Sequence, residues 1–247
     1  MLRFLAMDGT PDFKPLYLQV RDLMVRRLAS GAWRPGEALP NEFQLADEFG
    51  VSQGTVRKAL DELAAQNLLD SRQGKGTFVA QHTAQRALFH FFHLVSDSGE
   101  RALPAARMLS LDKAKADRRE AAQLGLKPGV SVVRLKRLRL LGARVALHER
   151  IVLPGALFPT FADRMPVDVP NELYRYYEER YGVTVARAVE KLKAVPASVD
   201  EARVLGLKSG APLLEIDRLA YTVDGRAVEW RLSRCDTARH HYISEIV

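Results

Sequence analysis

The second half of the chain repeats itself, and this duplication limits the possible folds more than any single motif. The run from Glu120-Ala121 to Leu124-Gly125-Leu126-Lys127-Pro128-Gly129 recurs as Glu201-Ala202 to Leu205-Gly206-Leu207-Lys208-Ser209-Gly210, and Arg137-Leu138 recurs as Arg218-Leu219. The offset is constant until a one-residue slip in the hairpin. Each copy reads as a capped helix, a turn, a strand and a returning strand. Asp112 is placed to cap the first helix, and Ser198 with Glu201 can form a capping box on the second. Two copies predict an approximate internal dyad within one sheet, read here as mixed, because a stacked solenoid needs roughly three units or more.

Alternation assigns faces to these strands. Val133, Leu135, Arg137 and Arg139 fall on one side, and Val132, Arg134, Lys136, Leu138 and Leu140 on the other. In the returning strand Val145, Leu147, Glu149, Ile151 and Leu153 share a face, so one carboxylate interrupts an apolar row. An unpaired buried charge is costly, so Glu149 needs Arg137 or Arg139 as its partner. A structural ion pair and a ligand pocket both satisfy that demand. Near the C-terminus Arg231 and Arg234 must point to opposite faces, and spacing puts Arg231 inward with Glu229.

The N-terminal part has a different pattern. Over residues 41–79 two short amphipathic helices flank a tight turn and lead into a glycine hairpin. Asn41 with Gln44 predicts a capping box, and Phe43, Leu45, Ala46 and Phe49 are expected in the core, with Gly50 as the stop. Ser52 can cap a second helix that buries Val56, Leu60, Leu63 and Ala64 and leaves Gln53, Gly54, Thr55, Arg57 and Lys58 nearer solvent. A preceding helix, about 15–30, is expected to bury Leu16, Val20, Leu23, Met24 and Leu28, with Arg26 and Arg27 solvated. The pattern is that of a winged helix-turn-helix, in which the second helix enters the DNA major groove. Ser52, Gln53, Gly54 and Thr55 would then lie at base edges, Gln53 and Thr55 reading them, with Arg57 and Lys58 on phosphates. The hairpin tip, Arg72, Gln73, Gly74 and Lys75, reads as an ordinary hairpin when taken alone, and within such a fold it could lie along a minor groove or phosphate ridge.

The runs PLYLQV, GAWRPGEALP, LADEFGVS, TVRKAL and QGKGTFV, in this order over residues 14–79, resemble the GntR family of bacterial regulators. With the LG-x-x-x-G and RLR pattern of the second half, the chain resembles the HutC-type branch, which carries a UTRA effector domain. The resemblance implies an α+β chain: a winged helix-turn-helix over 1–79, a linker over 80–87, and over 88–247 an α/β UTRA domain, chorismate-lyase-like, with an antiparallel sheet and helices. It implies an effector pocket of Arg137, Arg139, Glu149, Tyr174 and Glu229, to which the spacing argument adds Arg231, together with control of DNA binding by a small molecule, a homodimer, and a palindromic double-stranded operator. No catalytic residue, cofactor or metal is expected.

Two departures from the family pattern matter. Relatives commonly carry Arg directly after the Ser that opens the recognition helix, where this chain has Gln53 and then Gly54. Arg suits guanine and Gln suits adenine, so the expected base contact changes. The family's Tyr-Arg-Gly-Asp-Arg-Tyr type run is replaced by Trp230-Arg231-Leu232-Ser233-Arg234-Cys235-Asp236. Paired arginines on an apolar face would suit an anionic metabolite, either a carboxylate or a phosphate.

Charge supports DNA binding less than its total implies. The 247 residues carry a net charge of +7, but residues 1–80 hold ten Lys plus Arg against ten Asp plus Glu. The head is neutral, and useful affinity would need two heads. One cysteine, Cys235, fits a reducing compartment and reads as a small buried residue. With no membrane-length apolar run and no signal-peptide core in the loose leader of 1–12, a cytoplasmic, nucleoid-associated bacterial protein is expected. His90 with His93 falls on an aromatic strand, facing oppositely, and His240-His241 reads as solvated or at a helix end, so neither pair makes a metal site. An enzyme on the lyase-like fold and a DNA-bound scaffold without effector are the alternatives; the first lacks a nucleophile-base pair, and it leaves the head without a role.

Overall fold

A computed structural model describes residues 14–82, 92–97, 99, 104–163 and 169–244. The chain divides into two compact units, Met1–Ala80 and Gln81–Val247.

The first unit contains α1 (Leu16–Ala29), α2 (Glu42–Phe49), α3 (Gln53–Ala65) and a hairpin of β1 (Leu69–Arg72) and β2 (Gly76–Val79). The expected punctuation is present. Asn41 and Gln44 form the capping box, Gly50 ends α2 at φ 64°, and the Ser52 side chain accepts from the Thr55 amide. Val20, Met24, Leu45, Val56, Ala59 and Leu63 are buried, the five larger side chains contributing roughly 1.5–3 kcal/mol each. Leu16, Leu23 and Phe43 are exposed, against expectation. α1 packs mainly on α3, which covers only its Val20–Met24 stripe. Phe43 lies two residues from Leu45, roughly 200° around the helix, so α2 cannot bury both. Arg27 is not merely solvated: its guanidinium lies 5.2 Å from the Trp33 ring and 4.7 Å from Phe49, and it pairs with Glu48 at 2.5 Å.

The second unit is organised by six strands in the spatial order β4-β5-β6-β9-β8-β7, every neighbouring pair antiparallel. They are β4 (Ala105–Lys115), β5 (Ser131–Leu141), β6 (Arg144–Pro154), β7 (Val185–Pro196), β8 (Pro212–Thr222) and β9 (Ala227–Asp236). The sheet is therefore antiparallel, as the resemblance implied, and not mixed. Hairpins join β5 to β6 and β8 to β9, which leaves no parallel neighbours to bridge. A small separate pair joins β3 (Leu94–Ser96) to β10 (His240–Tyr242), so His240 and His241 stand on a strand, not at a helix end. His90 lies outside the described residues.

The duplication appears as a dyad between β6 and β9. α4 (Arg118–Leu124) packs on β9, and its repeat α6 (Val199–Leu205) packs on β6, so each copy's helix covers the other copy's returning strand. Gly125 and Gly206 end these helices at φ 66° and 70°, a conformation favouring Gly, which accounts for the repeated Leu-Gly. The first helix is capped by Asp117 with Glu120, not by Asp112, which lies within β4 opposite Arg134. The Ser198–Glu201 box is as expected. On the opposite face, α5 (Leu173–Tyr181) and a 3-10 turn (Phe161–Asp163) cover Val133, Leu135, Ile151 and Leu153.

Glu120 ties helix to sheet. Its fully buried carboxylate accepts from Arg134 at 2.7 and 2.8 Å, from Arg150 at 2.6 Å and from the Asp117 amide at 2.9 Å. Burial would raise its pKa, but Arg134, the Asp117 amide and Arg150 pull it down to about 2. A carboxyl depressed in the folded state stabilises fully above its unfolded value near 4.5 and loses that contribution as pH falls through about 2. Glu120→Gln should therefore lower stability at pH 7 by roughly 3 kcal/mol and flatten the pH dependence between those limits, as read from urea denaturation.

Candidate functional site

In the head, the residues expected at DNA share one arrangement that the sequence did not reveal. Glu42, in the first turn of α2, accepts from Gln53 Nε2 at 2.9 Å and from Arg57 Nε and Nη2 at 3.1 and 2.7 Å. Gln53 and Arg57, one turn apart on α3, are thus held by a single carboxylate. The Thr55 hydroxyl lies 2.9 Å from Ser52 Oγ, so it is engaged in the cap. Lys58 Nζ sits 4.1 Å from the Tyr17 ring centroid and Arg72 stacks 4.3 Å from Phe78. Gln73, Gly74 and Lys75 form the exposed hairpin tip, closed by the Lys75 amide on the Arg72 carbonyl at 2.9 Å.

In the second unit, the six residues predicted for the pocket converge on the α5 side of the sheet. Arg137 Nε donates to Glu149 Oε2 at 2.5 Å, and both are almost wholly buried. Arg231 forms a two-point contact with Glu229 at 2.9 and 2.8 Å and reaches Glu149 at 3.6 Å. Tyr174 donates to Glu229 Oε1 at 3.0 Å and Tyr177 to Oε2 at 2.8 Å. Burial pushes the Glu149 carboxyl up, but Arg137, Arg231 and Arg139 together hold it well below the usual range. Burial and the Glu229 charge push the Tyr174 hydroxyl up to about 12, so it stays a donor.

Arg139 is the exception. It is 6% exposed, and it donates from Nη1 to the Asn171 carbonyl and side-chain oxygens at 3.2 and 2.8 Å. Among the described residues it has no carboxylate partner, and its Nε–H has no acceptor. Burial and the neighbouring Arg137 pull its pKa down to about 9.

Several members of the cluster were missed. Arg218 pairs with Glu190 at 2.5 Å, and Glu190 also accepts from the Tyr242 hydroxyl. Ser233 Oγ lies 3.3 Å from Glu149, Asn171 positions Arg139, and Tyr177, read as core, holds Glu229. Arg218 alone had a signal, as the repeat mate of Arg137. Four buried guanidinium groups, Arg137, Arg139, Arg218 and Arg231, thus meet three carboxylates, Glu149, Glu190 and Glu229.

The other face of the sheet holds a cavity of about 440 Å³ lined by Arg134, Lys136, His148, Arg150 and Arg234 with Asp117 and Glu201. Its guanidinium groups are already matched: Arg134 and Arg150 by Glu120, Arg234 by Glu215 at 2.6 Å and Glu201 at 3.4 Å. Arg234 points here and Arg231 to the buried cluster, as the alternation required.

Residue His82, expected in a free linker, is 6% exposed. Its Nε2 lies 2.9 Å from the Val185 carbonyl, its amide donates to Glu178 at 3.3 Å, and its ring meets Tyr174 edge-on at 5.6 Å. Residues 83–87 of that linker lie outside the described residues.

Comparison with known proteins matches residues 16–79 to the bacterial regulatory proteins of the gntR family and residues 100–241 to the UTRA domain. The chain belongs to the GntR family. It is 31% identical over 225 residues to the mannosyl-D-glycerate transport/metabolism system repressor MngR of Escherichia coli K12, covering 91% of this chain and 92% of that one. It is 28% identical to the histidine utilization repressor of Pseudomonas putida, covering 84% and 83%. The solved ligand-binding domain of a GntR-family regulator from Bordetella bronchiseptica is also similar, with a TM-score of 0.59 at 31% identity over 64% of this chain and 99% of that one. This GntR protein is a HutC-type, ligand-controlled DNA-binding repressor. Among its described residues no helix is long and apolar enough to cross a membrane.

The charge excess makes two substitutions diverge. Arg137→Met strips Glu149 of its closest partner and should cost the free repressor roughly 3 kcal/mol. Arg139→Met removes a cation without a carboxylate and should leave stability unchanged or raise it. Urea denaturation midpoints of the two variants check this.

Proposed function

We propose that the effector is an anion, a carboxylate or phosphate ester, and that it supplies the acceptor Arg139 lacks. The supporting observation is a buried guanidinium that feels Glu149 but forms no ion pair with a carboxylate among the described residues and has no acceptor for its Nε–H: such a cation is unfavourable, and a bound anion would turn that cost into two-point hydrogen bonding. Asn171, Tyr174 and Ser233 offer neutral groups for the rest of the ligand. The relatives named above take their names from systems for mannosyl-D-glycerate and for histidine, molecules that both carry a carboxylate. No catalytic step is needed: the ligand controls DNA affinity only by preferring one conformation.

On the DNA side, Gln53 and Thr55 read base edges, Arg57, Lys58, Arg72 and Lys75 hold phosphates, and two copies span a palindromic operator. The neutral head favours this arrangement, since few net positive charges are available per head. The anchored His82 supplies the coupling. It is the second residue after the head, and it rests on Tyr174, which donates to Glu229 in the pocket.

Operators selected from random duplexes, titrated in the presence of a panel of anionic and neutral metabolites, test the reading. An anion should change operator affinity at least tenfold, and Arg139→Met should bind the operator normally but lose that response. A full response from Arg139→Met, or responses to neutral compounds alone, would refute the anionic assignment. For the coupling, His82→Ala should keep anion affinity within about threefold of the parent while shrinking the ligand-induced change in operator affinity; an unchanged ratio removes His82 from the path.

A further inference from the structure

Among the described residues of the head, Phe43 is the most exposed aromatic, at 71%. Leaving such a side chain in water forgoes the burial that α2 achieves with Leu45, so packing within the head does not explain it. Its place does. Phe43 follows Glu42 in the opening turn of α2, and Glu42 is bonded to Gln53 and Arg57, so this turn abuts the first two turns of α3. The start of α3 is bare there: Gly54 has no side chain, and a Cβ built on it would find only Ser52 Oγ, 4.0 Å away. Phe43 is therefore an exposed apolar side chain on the turn of α2 that abuts the DNA-reading end of α3.

In the major groove the base edges offer hydrogen-bonding groups and one apolar feature, the C5-methyl of thymine. A head with ten basic and ten acidic residues over 1–80 cannot rely on charge alone, and an apolar base contact supplies sequence-dependent affinity without net charge. We propose that Phe43 is a specificity-determining residue that packs on a thymine methyl in each operator half-site, next to the base met by Gln53. The inference rests on the assignment of α3 as the reading helix.

The test uses the full chain and its selected operator. Each thymine of a half-site is replaced by deoxyuridine, which removes only the methyl, and affinities are measured for the parent, Phe43→Ala, Phe43→Leu and Gln53→Ala. In the parent, one position should lose about fourfold per half-site, the weight of a single methyl contact. Phe43→Ala should bind the thymine operator more weakly and be indifferent to uracil at that position, while Phe43→Leu keeps part of the sensitivity. Because Phe43 is exposed, the melting temperature of both variants should match the parent.

Equal uracil sensitivity in the parent and Phe43→Ala, no sensitive position in the parent, or a selected half-site without thymine would each overturn the proposal. Gln53→Ala keeps the two assignments apart. If it alters base preference while Phe43→Ala leaves the uracil response intact, Phe43 alone is misassigned. If it leaves both affinity and preference unchanged, the assignment of α3, and the proposal that rests on it, fails.

Discussion

Four guanidinium groups buried on one face of a sheet must be balanced there, and the fold of the second unit follows from how this is done. Placing an isolated charge in such an interior costs several kcal/mol, so each arginine needs a carboxylate or a dense set of acceptors. The duplication supplies part of the answer. In the first copy, Arg137 stands opposite Glu149 on neighbouring strands and the two neutralise each other. In the second copy, the turn between the paired Thr222 and Arg226 is one residue longer than that between the paired Leu141 and Arg144, and the register shifts by one residue. Arg231 now faces Arg218, while Glu229 faces Ala220. Like charges directly opposite are unfavourable, and both are rescued from elsewhere: Arg218 by Glu190 of β7, Arg231 by Glu229.

The register shift turns a symmetric frame into an asymmetric site. Had both copies kept the Arg-Glu opposition, the face would hold two closed pairs and little capacity for a ligand. As it is, Glu229 is shared by Arg231, Tyr174 and Tyr177, Glu149 by Arg137 and Arg231, and Arg139 is left with Asn171. The back of the same sheet shows the contrast: Glu120, Glu201 and Glu215 match the arginines of that cavity closely enough to make it part of the scaffold.

How much of this was legible depended on whether the information was local. Alternation put Arg137, Arg139 and Glu149 on one face and sent Arg231 and Arg234 to opposite ones, because strand periodicity is a property of the backbone. Caps with a short reciprocal motif were found at Asn41 and Ser198, whereas Asp112 was mistaken for Asp117 because strand β4 runs further than its pattern implies. What failed was non-local. Arg218 gains its importance from Glu190, Tyr177 from Glu229, and Asn171 from Arg139, all distant in sequence. Phe43 was misplaced for a different reason: a short helix has one inward stripe, and hydrophobicity alone does not say which apolar residues lie on it.

The two units share one economy of charge. The head is neutral by composition, and its Arg57 is partly offset by Glu42, so much of its discrimination must come from shape, hydrogen bonds and apolar contact rather than attraction to the backbone. The second unit does the reverse, keeping a cation that its own carboxylates do not match. On the proposed reading, an anion at Arg139 would act directly on its contact with Asn171, beside a cluster in which Tyr174 holds Glu229 and meets the His82 ring. On that reading the electrostatic excess lies where an anion would relieve it, and a weakly charged reader is the kind of head whose occupancy of DNA a few kcal/mol of coupling can decide.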